Sequence, residues 1–146
     1  MLIKTMKYLL LLLSFMLIIL ISCDTTSPEE LDKNEIIDIL DSIQSNFNFD
    51  DLDGIMQYYH PLFSHNGNDF EWEKDTIWFV RLNDFDNLLF EDIEIILNGN
   101  SARAYFLMHL DETITDEPSD ENGDISYFYR ELGNWKLCGE NFVVLP

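Results

Sequence analysis

The sequence predicts an α+β domain in which N-terminal helices pack on a curved antiparallel sheet of four or more strands. Two observations carry this prediction. Apolar residues recur at helical spacing up to about Leu82 and then at a period of two from Ile93 onward. Two turn signals, Asn98-Gly99-Asn100 and Gly133-Asn134, sit between the later apolar runs and read as hairpins. Helices gathered first and strands gathered after them define the α+β class.

The first helix starts at Ser27-Pro28-Glu29-Glu30, with Ser27 as N-cap, Pro28 at the first helical position and Glu30 closing a capping box. Leu31, Ile36, Ile39, Leu40, Ile43 and Phe47 then share one stripe. Asp50 or Asp51 caps a second helix through Leu52, Ile55, Met56 and Tyr59, which Pro61 ends. The segment Pro61 to Gly67 returns to the core and reverses. Between Phe70 and Leu82 the apolar positions suit a helix or a strand, and a helix from near Asp69 fits better. After a turn over Asn83 to Asn87, Ile93, Ile95 and Leu97 alternate along a strand. The return strand, Ala102 to Asp111, is apolar on both faces, which places it centrally, under helices on one side and a lid or partner on the other. Glu112 to Asp124 reads as a polar loop, and Ile125 to Leu132 and Trp135 to Phe142 form the second hairpin. Alternation sets Tyr127 and Tyr129 against Phe128 and leaves open which side is core.

Ahead of this domain, Lys4 and Lys7 precede an apolar run from Tyr8 to Ile21 that ends at Ser22-Cys23. The run is short of the roughly 20 residues a membrane span needs and has the layout of a signal peptide. Leu20-Ile21-Ser22-Cys23 resembles the lipobox of bacterial lipoproteins, which implies cleavage before Cys23 and its diacylation. The expected divisions are residues 1–22 as signal peptide, 23–28 as lipidated cysteine and tether, and 29–146 as one domain. The expected location is a bacterial cell envelope, with inner membrane, outer membrane and surface all open. Cys138 would then be the remaining free thiol, so no disulfide framework is expected.

Charge narrows the partners. All 28 acidic side chains follow Cys23, against six basic ones once Lys4 and Lys7 are removed, a balance of −22. That field repels phosphate backbones and anionic headgroups, which excludes nucleic acid and leaves the acyl chains on Cys23 to hold the membrane. Abundant Trp, Tyr and Phe among the acids argue for a folded core.

The capped helix, Tyr59-His60-Pro61-Leu62-Phe63, the turn Asn98-Gly99-Asn100-Ser101-Ala102 and the closing Gly133-Asn134-Trp135-Lys136-Leu137 together resemble the nuclear transport factor 2-like superfamily. The resemblance implies a cone, a curved sheet wrapped around helices with a cavity at its wide end, and it implies no single reaction. Trp72, Tyr105, His109, Tyr127 and Tyr129 are the candidate pocket residues. His109, on the two-faced strand, is the candidate acid or base. His60 and His65 have no spacing to a third ligand, and the Asp116 to Asp124 loop fails the calcium-loop pattern because Pro118 would stand where a carboxylate is required. No metal or other cofactor is therefore expected. The leading reading is a non-catalytic module that binds a small apolar ligand or an envelope protein. An isomerase, dehydratase or hydrolase using His109 and a homodimerisation module are the alternatives.

Overall fold

The computed structural model describes residues 26–119, 124–140 and 142. The expected signal peptide, the expected lipidation site Cys23 and the start of the expected tether lie outside the described residues. Helix α1 (Pro28–Phe47) is capped as its sequence requires, the Ser27 hydroxyl accepting from the Glu30 N–H at 3.1 Å. Ile36, Ile39, Leu40, Ile43 and Phe47 are buried on one stripe, while Leu31 stands out into solvent. Asp51, rather than Asp50, caps the short helix α2 (Leu52–Met56).

The chain then departs from the expectation of a longer second helix and a reversal. Tyr59 belongs to strand β1 (Tyr59–His65), which turns into a two-residue strand β2 (Asn68–Asp69). Pro61 sits within β1, where the pairing with the last strand shifts register. A proline is tolerated there because the irregularity requires no ladder N–H from it.

From Asp69 the helical reading holds. Asp69 caps α3 (Phe70–Trp72), which runs through a π-helical stretch (Glu73–Trp78) into α4 (Phe79–Asp84). Glu73 and Trp78, five positions apart, would diverge by about 140° on an α-helix. The wider π turn brings them onto one face, and both are buried.

The sheet has seven strands, within the four or more expected. Strands β3 (Leu88–Asn98) and β4 (Ser101–Leu110) form the first hairpin, β5 (Thr113–Glu117) follows, and β6 (Tyr127–Glu131) and β7 (Asn134–Gly139) form the second. The order is β2-β1-β7-β6-β4-β3, with β5 pairing the C-terminal half of β4 on the edge whose other half meets β6. The polar Glu112 to Asp124 segment is thus not all loop. Pairing of β1 with β7 is parallel, so the sheet is mixed. Gly139 makes that pairing fit. Its φ is +60°, and a Cβ there would lie 2.1 Å from the Ser64 carbonyl oxygen.

A bulge between Glu91 and Glu94, with Asp92 at φ 55°, resets which side of β3 faces inward. Leu88 and Phe90 point to the core before it, Ile93, Ile95 and Leu97 after it. The free edge of β3 is covered by helix side chains. Gln44 accepts from the Phe90 N–H and Asn48 from the Leu88 N–H, both at 3.0 Å. On β4, Ala102, Ala104, Phe106, Met108 and Leu110 face the helices, and Arg103, Tyr105, Leu107 and His109 are half-buried on the outer face.

Candidate functional site

Among the described residues, the five pocket residues expected from the sequence are divided between the outer sheet face and a cleft beside the π-helical stretch. Tyr127 pairs in register with Arg103, so it lies on the outer face, and the Arg103 guanidinium stacks over Tyr105 at 4.8 Å and Tyr127 at 5.0 Å. Tyr129, on the same face, stacks on Phe142 with ring centroids 5.0 Å apart. His109 is also on the outer face, its Nε2 2.9 Å from a Glu91 carboxylate oxygen. Phe128 takes the core side, which settles the question left open by alternation. Trp72 alone of the five borders the cleft beside the π-helical stretch.

That cleft, of about 250 Å³, lies between β2, the π-helical stretch and the Asp124 turn, with His65, Trp72, Glu73, Arg81 and Asp124 among its lining residues. The fold delivers each from a different element. His65 ends β1 and is buried, Trp72 closes α3 and is exposed at the cleft wall, and Glu73 opens the π turn. Arg81 projects from α4, and Asp124 arrives ahead of β6 to meet it at 2.7 Å. The guanidinium also lies over the Trp78 ring at 4.9 Å, and Trp78 Nε1 donates to the Tyr59 hydroxyl at 2.7 Å.

Glu73 is the centre of this cluster. It is 1% exposed, its carboxyl is in hydrogen-bond contact with Asp124 and Tyr59, and its Oε1 has no partner. Burial, and then the charge of Asp124, push its pKa up to about 9, so the side chain is a neutral acid at pH 7. Burial also opposes the charge of Asp124, but Arg81 and the hydrogen bond from Glu73 outweigh it and hold that carboxyl below its ordinary value. Arg81 is likewise opposed by burial and raised by Asp124. Tyr59 is raised well above its usual range by burial, with Glu73 and Asp124 adding to it. The result is a chain of groups, Trp78 to Tyr59 to Glu73 to Asp124 to Arg81, with one proton on the acid pair and no net charge.

Sequence reasoning passed over Glu73, Arg81 and Asp124. Only one signal was available. The chain has three arginines among 28 acids, and each is used structurally: Arg81 on Trp78 and Asp124, Arg103 on two tyrosines, Arg130 on Trp135 and Asp32.

A second cleft, of about 420 Å³, lies between α1 and the β6–β7 hairpin, and several of its polar groups are matched. His60 Nε2 is 3.1 Å from Glu131, and the Trp135 N–H is 3.4 Å from Glu35. Leu62 N–H donates to His60 Nδ1, which fixes the proton of the neutral ring on Nε2. Cys138 is buried and unbridged, with burial pushing its thiol up to about 12, so it is no nucleophile at neutral pH. Among the described residues no cluster of three or more His, Cys, Asp or Glu side chains could hold a metal, and no helix is long and apolar enough to cross a membrane.

No protein-family model and no curated protein matches the chain. Solved structures do. Bd1075 of Bdellovibrio bacteriovorus matches with a TM-score of 0.54 at 12% identity, over 77% of this chain and 41% of that one, so the chain spans less than half of that protein. Rv3472, a function-unknown protein of Mycobacterium tuberculosis, matches at 0.55 and 14% identity over 77% of this chain and 73% of that one. A protein of unknown function with a cystatin-like fold from Nostoc punctiforme matches at 0.53 and 15% identity, over 80% of this chain and 96% of that one. At these identities the likeness shows the fold alone: the domain is a cystatin-like, nuclear transport factor 2-like cone of helices on a curved, open, mixed sheet.

Proposed function

We propose that the chain is an acyl-anchored binding module of a bacterial cell envelope, and that the cleft around Glu73 receives a small polar molecule. The observation that carries this reading is the unpartnered Glu73 Oε1, buried at a cleft and held beside a matched ion pair. A buried acceptor without a partner costs about 1–3 kcal/mol, and a ligand donor would recover it. The polar lining favours a polar ligand over the apolar one expected from the strand pattern. Lys4, Lys7, the apolar run and Leu20-Ile21-Ser22-Cys23 support the anchor, with the membrane held through acyl chains and not through a domain of balance −22. Ligand-observed NMR with the full chain and a set of small polar molecules tests the binding. Hits that disappear in Glu73→Leu, with thermal unfolding still cooperative, support it, whereas hits that ignore the substitution place binding elsewhere.

One observation favours a catalytic variant of this reading. Glu73 carries a proton at neutral pH next to an ionised Asp124, the arrangement of a general acid. The isomerase or dehydratase alternative then rests on Glu73 in place of His109, which pairs with Glu91. It requires that a bound molecule be turned over and that Glu73→Gln stop turnover while sparing binding.

A further inference from the structure

We infer that the cleft bordered by Trp72, Glu73 and Ser119 takes a neutral, hydroxyl-bearing ring, in chemical class a single sugar residue. This rests on the binding reading above and adds the ligand class to it.

Charge removes the ionic alternatives. Arg81 is matched by Asp124 at 2.7 Å, and that guanidinium is also engaged with the Trp78 ring. An anionic ligand would meet a guanidinium already paired with Asp124 while entering the field of a chain of net charge −20. A cationic ligand would find no unmatched carboxylate, because Asp124 is committed to Arg81 and Glu73 shares its proton with Asp124. Glu73 lines the cleft, and its buried Oε1 is an acceptor without a partner. The Asn68 amide, which also lines the cleft, can donate and accept, while the Ser119 hydroxyl, already held by the Glu117 carboxylate, keeps its oxygen as an acceptor. Hydroxyl groups do both, so a polyol matches this mixed set better than an ion does.

The wall supplies the other half of a sugar. Trp72 lines the cleft and is 41% exposed, and Ile77 lines it too, half-buried. An exposed indole is costly to leave in water and presents a flat apolar surface. A pyranose has one face of C–H groups and a rim of hydroxyls, so it can cover the indole with the face and reach Glu73 with the rim. The volume, about 250 Å³, lies below the range of roughly 300–1,000 Å³ typical of drug-sized ligands and suits one ring.

The test uses the full chain in a detergent without a sugar headgroup, with the Trp72 indole N–H followed by NMR. The probes are glucose and N-acetylglucosamine, their charged counterparts glucosamine and glucuronate, and a fragment set of non-sugar polar molecules. The expected result is saturable binding of a neutral sugar with a Kd on the order of 1 mM. Both charged counterparts and Trp72→Ala should bind about tenfold more weakly, and Trp72→Phe should recover part of the loss. Unchanged thermal unfolding of both variants excludes loss of fold as the cause. Equal or tighter binding of a charged sugar, or binding that survives Trp72→Ala, overturns the inference. Binding of a non-sugar fragment at Trp72 with no sugar response overturns the ligand class and leaves the binding module standing. No response to any probe overturns both.

Discussion

At the scale of single residues, Glu73 is where the fold works against itself. In the folded chain it stays neutral up to about pH 9, whereas in the unfolded chain it ionises above its ordinary 4.5. Between these values the folded state binds the extra proton, so stability falls as pH rises, with a limiting slope of about 1.4 kcal/mol per pH unit. Asp124 acts in the opposite sense at the acid end. Its lowered pKa contributes stability above its ordinary 3.8, and that contribution is lost as pH falls through the folded value. Glu73→Gln keeps a neutral side chain that can still donate to Asp124, and it removes the slope. Urea unfolding should find the variant within about 0.5 kcal/mol of wild type at pH 4.5 and more stable by about 2 kcal/mol or more at pH 8. Equal stability at both pH values would mean that Glu73 is ionised in the fold. The sequence hides this site because a glutamate within Phe70-Glu71-Trp72-Glu73-Lys74-Asp75 looks like one more solvated acid. Its burial follows from the π turn, and its partner Asp124 from sheet topology, neither of which has a local sequence signal.

At the scale of elements, the legible parts are those with local instructions. Ser27-Pro28 starts α1, Asp69 starts the third helical segment, and Asn98-Gly99-Asn100 and Gly133-Asn134 place the two hairpins. The conflicting period between Phe70 and Leu82 was itself a trace of the π turn, since a wider turn follows neither 3.6 nor two residues. Strands β1, β2 and β5 escape because their pairing is decided by distant residues. Pro61 argues against a strand, and Thr113–Glu117 carries too little apolar residue to announce one. The parallel contact of β1 with β7 depends on Gly139, whose φ is +60° and whose α-carbon faces the Ser64 carbonyl. Gly139→Ala should cost roughly 2–4 kcal/mol, by strain and by separating the two strands. Equilibrium unfolding measures that loss, and a change below about 0.5 kcal/mol would show that β1 adjusts freely.

At the scale of the whole molecule, the cone, the acidity and the proposed leader give a consistent design. Helix α1 and its covering side chains close the β3 edge, and the acid-rich surface keeps an aromatic-rich domain apart from its neighbours. Such a surface cannot hold an anionic membrane, and in the lipoprotein reading proposed above the acyl chains on Cys23 carry that task. Cys23→Ala should abolish incorporation of labelled palmitate and move the protein from the membrane fraction to the soluble fraction, and unchanged labelling would end the lipoprotein reading. The central claim is narrower: the cone holds a polar but uncharged site around a protonated Glu73. Carboxyl ¹³C NMR of the glutamate side chains between pH 3 and pH 10, assigned with Glu73→Gln, tests it most directly. One glutamate resonance, absent from the variant, should titrate near pH 9, and a Glu73 resonance that titrates near the ordinary 4.5 would contradict the account.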